Sequence, residues 1–167
     1  LEAENYIAHF QTPLGWMEIS GTENHISKVS FHDKKPSSES SLYLPKLLQN
    51  CQLQLEEYFK SNRKEFDLPL KPSGTDFQQS VWSQLLEVPI AKTASYQAIS
   101  IALGDPNYMR AVGNANGKNP IAVIIPCHRV IGSDGSLTGY AGGLWRKKWL
   151  LNHEKQICRI PTQTSLF

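Results

Sequence analysis

Apolar and polar residues partly alternate in three short stretches near the start of the chain, residues 5–10, 16–20 and 26–31. A period of two is the signature of strands with one buried face, so these predict a small antiparallel sheet. Thr12-Pro13-Leu14-Gly15 is a turn between the first two. After a polar loop over 32–41 the period lengthens. Leu44, Leu48, Cys51, Leu55 and Tyr58 fall at steps of three and four, predicting a helix over 45–60 with one apolar stripe. Cys51 sits in that stripe and reads as a buried core thiol. Residues 61–74, with charges, two prolines and a glycine, read as a linker.

Beyond the linker the pattern is helical. Residues 75–88 put Phe77, Val81, Trp82, Leu85 and Leu86 on one side, with Thr75 and Gln78 at capping-box spacing. Two short helices follow, 95–103 and 106–116. Between them Gly104 suits a helix C-terminus, Asp105 an N-cap and Pro106 a first turn. Such a pair is the helix-turn-helix pattern. In its second helix Met109 and Val112 are spaced to face a core. The opposite side shows Arg110, Ala111, Asn114, Ala115, Gly117 and Lys118: small, polar and basic. That face suits either close packing or entry into a groove of nucleic acid. Gly113 costs about 1 kcal/mol in a helix interior relative to Ala, a choice that close approach of the helix backbone to something else would explain. Residues 121–125 form a continuous apolar run, hence buried. Residues 130–137, centred on Ser133-Asp134-Gly135-Ser136, form the wing of a winged helix-turn-helix. A last helix spans about 144–153. The division expected is 1–73, an N-terminal α/β domain with linker, and 74–167, a C-terminal domain.

Charge separates the halves. Residues 1–88 hold eight Lys/Arg against twelve Asp/Glu, and residues 89–167 hold nine against three. A net +6 in the second half suits a polyanionic partner. Three scattered cysteines, Cys51, Cys127 and Cys158, exclude a disulfide framework, and no spacing suits a structural zinc. No apolar run is long enough to span a bilayer. The expectation is a soluble intracellular protein without metal or cofactor. The tail 157–167, with Cys158, carries no functional signal.

Ile124-Ile125-Pro126-Cys127-His128-Arg129-Val130 sets a thiol between a proline and a histidine. Thiolate is the nucleophilic form, and a nearby imidazole or cation favours it. A cysteine after an apolar run is by itself more often a buried structural thiol. Taken in order, however, Arg110-Ala111-Val112-Gly113-Asn114-Ala115, Pro126-Cys127-His128-Arg129-Val130, Gly139-Tyr140-Ala141-Gly142-Gly143 and Trp149-Leu150-Leu151-Asn152-His153-Glu154 resemble the O6-alkylguanine–DNA alkyltransferases, in their short bacterial form. Thr75-Asp76-Phe77-Gln78 through Trp82, and Ser95-Tyr96, match the helices that precede these motifs. The likeness runs without a gap from about Gly74 to Glu154 and is looser over residues 6–60.

The resemblance implies an α+β fold: a ribonuclease H-like N-terminal antiparallel sheet with a helix, then a mostly helical domain with a winged helix-turn-helix. It implies that Cys127 accepts an alkyl group irreversibly, once per molecule. His128 takes the thiol proton through a water, Glu154 orients the relay, and Asn119 ties the recognition helix to the active-site segment. Tyr140 donates to the base, and the loop at Ala141 and Gly142 approaches O6. Many relatives have serine at the Ala141 position, so that contact falls here to a backbone N–H. The carbonyls of Cys127 and Val130 recognise the guanine amino group. Tyr96 presses on a phosphate, Arg110 fills the gap left by a flipped nucleotide, and Ala111, Asn114 and Ala115 lie in the minor groove. The implied partner is double-stranded DNA carrying O6-alkylguanine. The protein is expected as a monomer, with cooperativity on DNA left open, in the cytoplasm or, in a eukaryote, the nucleus. A non-catalytic, damage-binding relative is the alternative, and the presence of Cys127 argues against it.

Overall fold

The structure, a computed structural model, describes residues 3–164 and divides into two compact units, Leu1–Ser73 with Pro120–Ile124, and Gly74–Asn119 with Ile125–Phe167. In the first unit β1 (Tyr6–Thr12), β2 (Gly15–Gly21) and β3 (Ile26–His32) form an antiparallel sheet in the order β1-β2-β3. The pairings Ala8↔Ile19↔Val29 and Phe10↔Met17↔Phe31 line up apolar residues across the strands. Ala8, Met17, Ile19 and Val29 are all but fully buried, as are Leu48, Cys51, Leu55 and Tyr58 of α1 (Lys46–Phe59), which packs on the sheet. The Thr12 hydroxyl bonds the Gly15 carbonyl and accepts from Leu14 N–H, closing the first hairpin with Gly15 at φ 101°. On β2, Glu18 accepts a hydrogen bond from His9 at 3.0 Å and pairs with Lys28 at 3.5 Å.

Two segments depart from the sequence reading. The expected linker is pinned to β3, where Ile26 N–H donates to Pro69 O and Lys71 N–H to Ile26 O. Residues 120–124, expected with the C-terminal domain, cluster with the first unit. Val29 exchanges hydrogen bonds with Pro120 O and Ala122 N–H, and Ile121 is fully buried. Both pairings are non-local, and local periodicity carries no information about them.

In the second unit α2 (Asp76–Leu85) starts at a full capping box between Thr75 and Gln78. Its Trp82 indole donates to the Ala115 carbonyl at 2.9 Å, and a Cβ on Gly74 would collide with the same ring. Leu86 lies past the helix end and is half exposed. A short strand β4 (Ala94–Ser95) leads into α3 (Tyr96–Ala102). Gly104 at φ 106°, Asp105 capping Asn107 N–H, and a 3₁₀ turn (Pro106–Tyr108) then lead into α4 (Met109–Gly117). The wing region is a strand β5 (Val130–Ile131), which pairs in parallel with β4, followed by a loop closed by Gly132 N–H to Ser136 O. It is not a two-stranded hairpin. The last helix, α5 (Leu144–Thr164), runs well beyond the expected end, with no glycine or proline between His153 and Pro161. Among the described residues no helix is long and apolar enough to cross a membrane.

Candidate active site

Cys127 is presented by two tight turns in succession. Pro126, at φ −82° and ψ 64°, centres an inverse γ-turn in which Cys127 N–H donates to Ile125 O at 2.8 Å. Proline suits that position because its ring fixes φ near this value and it has no N–H to leave unpaired. The chain then closes a 3₁₀ turn (Cys127–Arg129), with Val130 N–H on Cys127 O. Asn119 Nδ2 donates to Ile125 O at 2.8 Å, and Asn116 Nδ2 to Cys127 O at 3.3 Å. The thiol is left 6 % exposed.

The 3₁₀ turn directs His128 and Arg129 to one carboxylate. His128 Nε2 lies 2.7 Å from Glu154 Oε2, and both side chains are fully buried. Arg129 grips the same carboxylate with Nε and Nη2, each at 2.9 Å, while its Nη1 donates to Val88 O. Burial pushes the Glu154 carboxyl up, but the hydrogen bonds and charges of its two partners outweigh this and hold it far below the usual carboxylate range. Burial pushes His128 down, more than Glu154 pulls it up. We take the carboxylate as ionised by the permanently charged Arg129 and the imidazole as neutral at pH 7. An ionised carboxylate only accepts, so Nε2 carries the hydrogen and Nδ1 is left as a base. Nδ1 is buried and has no hydrogen-bond partner among the described residues.

Cys127 differs from the expectation of a depressed pKa. Burial raises it; a hydrogen bond from Asn119 and the positive charge of Lys147 pull it back only in part. The resting thiol is therefore protonated and needs a base. The Tyr140 hydroxyl and the thiol perturb one another, yet no hydrogen bond of good geometry closes and the buried hydroxyl stays without a partner.

The loop carrying Tyr140 is anchored at several points. Lys147 Nζ donates to Thr138 O at 2.8 Å and Gly139 O at 3.3 Å, Tyr96 Oη to Thr138 O at 3.1 Å, and Arg146 Nη1 to Gly142 O at 2.8 Å. Gly139 and Gly143 take φ of 50° and 93°, conformations costly for any other residue. Ala141 is exposed, and its N–H has no acceptor among the described residues. Chemically, a protonated thiol, a buried base, a free phenol and a nearby ammonium are the parts of a nucleophilic substitution whose leaving group gains negative charge.

On α4, Arg110, Ala111, Asn114 and Lys118 are exposed, and the latter three line a shallow groove with Phe77 and Gln78. Two residues of this helix face otherwise than expected. Met109 is 42 % exposed, whereas Ala115 is buried at 2 %, its carbonyl taken by Trp82. Ala115 nonetheless lines the same groove as Ala111 and Asn114. A Cβ at Gly113 would meet only the Tyr96 ring, at 3.9 Å, so nothing within the protein demands glycine there. Of the two carbonyls assigned to the guanine amino group, that of Cys127 is already bonded to Val130 N–H and Asn116. Val130 itself pairs with Ala94.

Residues 5–72 match the ribonuclease-like domain of 6-O-methylguanine DNA methyltransferases, and residues 76–156 match their DNA-binding domain. The chain belongs to this family. A methylated-DNA–protein-cysteine methyltransferase of Methanosarcina barkeri is 44 % identical over 157 residues, spanning 92 % of this chain and 99 % of its own. The Mycobacterium tuberculosis O6-methylguanine methyltransferase superposes with a TM-score of 0.82 at 39 % identity, covering 92 % and 94 % of the two chains. The alkyltransferase of that organism solved in complex with DNA gives 0.81 at 41 % identity, covering 89 % and 92 %.

Three contributors to the site were underrated or missed in the sequence. Arg129, Lys147 and Asn116 stand out as contributors only in the structure. For Lys147 a signal was available. Lys147, Leu150, Glu154 and Ile157 fall at steps of three and four, and all four are buried. Two charged residues on an otherwise apolar stripe mark a site, because buried charges persist only with partners.

Proposed function

We propose that this protein reverses DNA alkylation directly, moving the alkyl group from O6 of guanine to Cys127 Sγ, once per molecule. The observation that carries the reading is the assembly of Cys127, the His128–Glu154–Arg129 cluster, Lys147 and the unpartnered Tyr140 hydroxyl in one unit, as part of a chain whose family acts on methylated DNA. The thiol proton passes to His128 Nδ1 through a water. Sulfur attacks the alkyl carbon in line, the carbon–O6 bond breaks, and its electron pair stays on guanine. Tyr140 Oη and the Ala141 amide donate to the developing charge, and Lys147 offsets it. The product is a thioether, which offers no leaving group for hydrolysis, so the protein does not turn over.

A base stacked in a duplex is out of reach of a thiol exposed by only 6 %, so the nucleotide is flipped out, at a cost of a few kcal/mol. The exposed face of α4, with Arg110, Ala111 and Asn114, enters the minor groove, where shape counts for more than sequence. Arg110 fills the vacated stack, and the protein binds as a monomer.

The test is to incubate the protein with a duplex carrying O6-methylguanine and measure its intact and peptide masses. One methyl group per chain is expected, on the Cys127 peptide, and none in Cys127→Ser. An unmodified Cys127, or repeated turnover, rejects the reading. A purely damage-binding role predicts tight binding with no mass change.

A further inference from the structure

The last turn of α4 and the second residue beyond it supply two side-chain amides to the segment that carries the nucleophile. Asn116 and Asn119, three residues apart, project from the same side, and the carbonyls they bond, those of Cys127 and Ile125, bracket Pro126. The Ile125 carbonyl also closes the γ-turn, and the Cys127 carbonyl also closes the 3₁₀ turn that follows. Asn116 is 4 % exposed and its Oδ1 has no hydrogen-bond partner. Asparagine is a mediocre helix former, and a half-satisfied buried carboxamide is costly. If the position only filled space, leucine would fill it better.

We propose that Asn116 is a positioning residue for alkyl transfer, clamping the main chain of Cys127 to α4 so that the sulfur keeps its line of attack. The inference rests on Cys127 being the acceptor. In-line displacement requires the reacting atoms within about 3–3.5 Å and aligned, and a 1 Å error costs on the order of 100-fold in rate. A Cys127 peptide free to rotate about its turn would swing Sγ by such an amount. Asn119 fixes the entry to the turn and bonds the thiol; Asn116 fixes its exit through the Cys127 carbonyl. The two amides thus do different work, and loss of Asn116 affects geometry rather than ionisation.

A single-turnover reaction separates positioning from mere folding. With a saturating duplex carrying O6-methylguanine, the amplitude in methyl groups per chain counts competent molecules, while the rate constant reads geometry. Asn116→Asp keeps the shape and removes the donor; Asn116→Leu removes both polar atoms. Both are expected to react to nearly full amplitude with a rate constant lowered about 10-fold or more. Binding to an undamaged duplex, and alkylation of Cys127 by iodoacetamide across pH, should stay within about twofold of wild type. A wild-type rate constant, whatever the amplitude, overturns the proposal. So does a parallel loss of iodoacetamide reactivity, which would place the effect on the thiol's ionisation. Should Asn116→Leu fail to fold, Asn116→Asp decides. If wild-type protein leaves Cys127 unmethylated, the acceptor reading itself has failed, an outcome distinct from any of these.

Discussion

Cys51 in the first unit and Cys127 in the second are both buried thiols, at 0 % and 6 % exposure, and burial raises the pKa of both. For Cys51 burial is the whole cause of the shift: α1 sets it in one stripe with Leu48, Leu55 and Tyr58, and its pKa is pushed up to about 12. Around Cys127 the same penalty is opposed by an amide, an ammonium and a phenol, with a neutral imidazole on the next residue. Sequence neighbours alone do not make a thiol reactive, and neither does depth. What distinguishes the two is that the second sulfur is buried together with groups that stabilise negative charge.

The comparison breaks most severely at Glu154. Glu154→Gln leaves Arg129 and His128 buried without their anion, and stability should fall by about 3–5 kcal/mol. Transfer should slow on the order of 100-fold or more through loss of the oriented base. Chemical denaturation and single-turnover kinetics check both. Acid should do the same to wild type. Both groups titrate below their unfolded values, so the folded protein binds fewer protons than the unfolded chain as pH falls. The His128 share of stability begins to drain below about pH 6.5 and the Glu154 share below about 4.5, so the melting temperature should drop in two stages from pH 7 to 4. The transfer rate should instead climb as pH rises above neutral, because the thiol is held protonated.

Lys147→Met should leave the fold intact and slow transfer on the order of 100-fold, with the alkaline limb of the pH–rate profile displaced to higher pH. An unmoved limb would assign Lys147 to loop anchoring alone. Cys51→Ala should cost about 1 kcal/mol through its small cavity and leave the transfer rate unchanged. Any loss of transfer there would blur the contrast between the two thiols. The smallest effect is expected for Gly113→Ala. The added methyl meets only Tyr96 at ordinary contact distance, so stability should rise by up to about 1 kcal/mol. A weakened affinity for duplex DNA in that variant would show that the partner approaches α4 at that point.

How much the sequence revealed follows from the range of each interaction. Capping at Thr75, the Gly104-Asp105-Pro106 junction and the α1 stripe are local, and their residues state them directly. The thiol motif was visible as a string, but the geometry around it was not, since Glu154 and Lys147 reach it from a helix some twenty residues away. Met109 was assigned to the core because the Trp82 hydrogen bond that orients the nine-residue α4 comes from another helix and leaves no local trace. The pairing of residues 120–124 with β3 was hidden for the same reason.

Lys147 carries a consequence for the spent protein. Its ammonium is drawn toward a sulfur that can bear charge, and that attraction supports its protonation against burial. Methylation turns the sulfur into a neutral thioether for good. The resting thiol is already neutral, so the ammonium keeps its hold on the Thr138 and Gly139 carbonyls. What ends is the sulfur's capacity to ionise: repair marks its own completion, because the titration that Lys147 favours in the fresh molecule is absent from the used one.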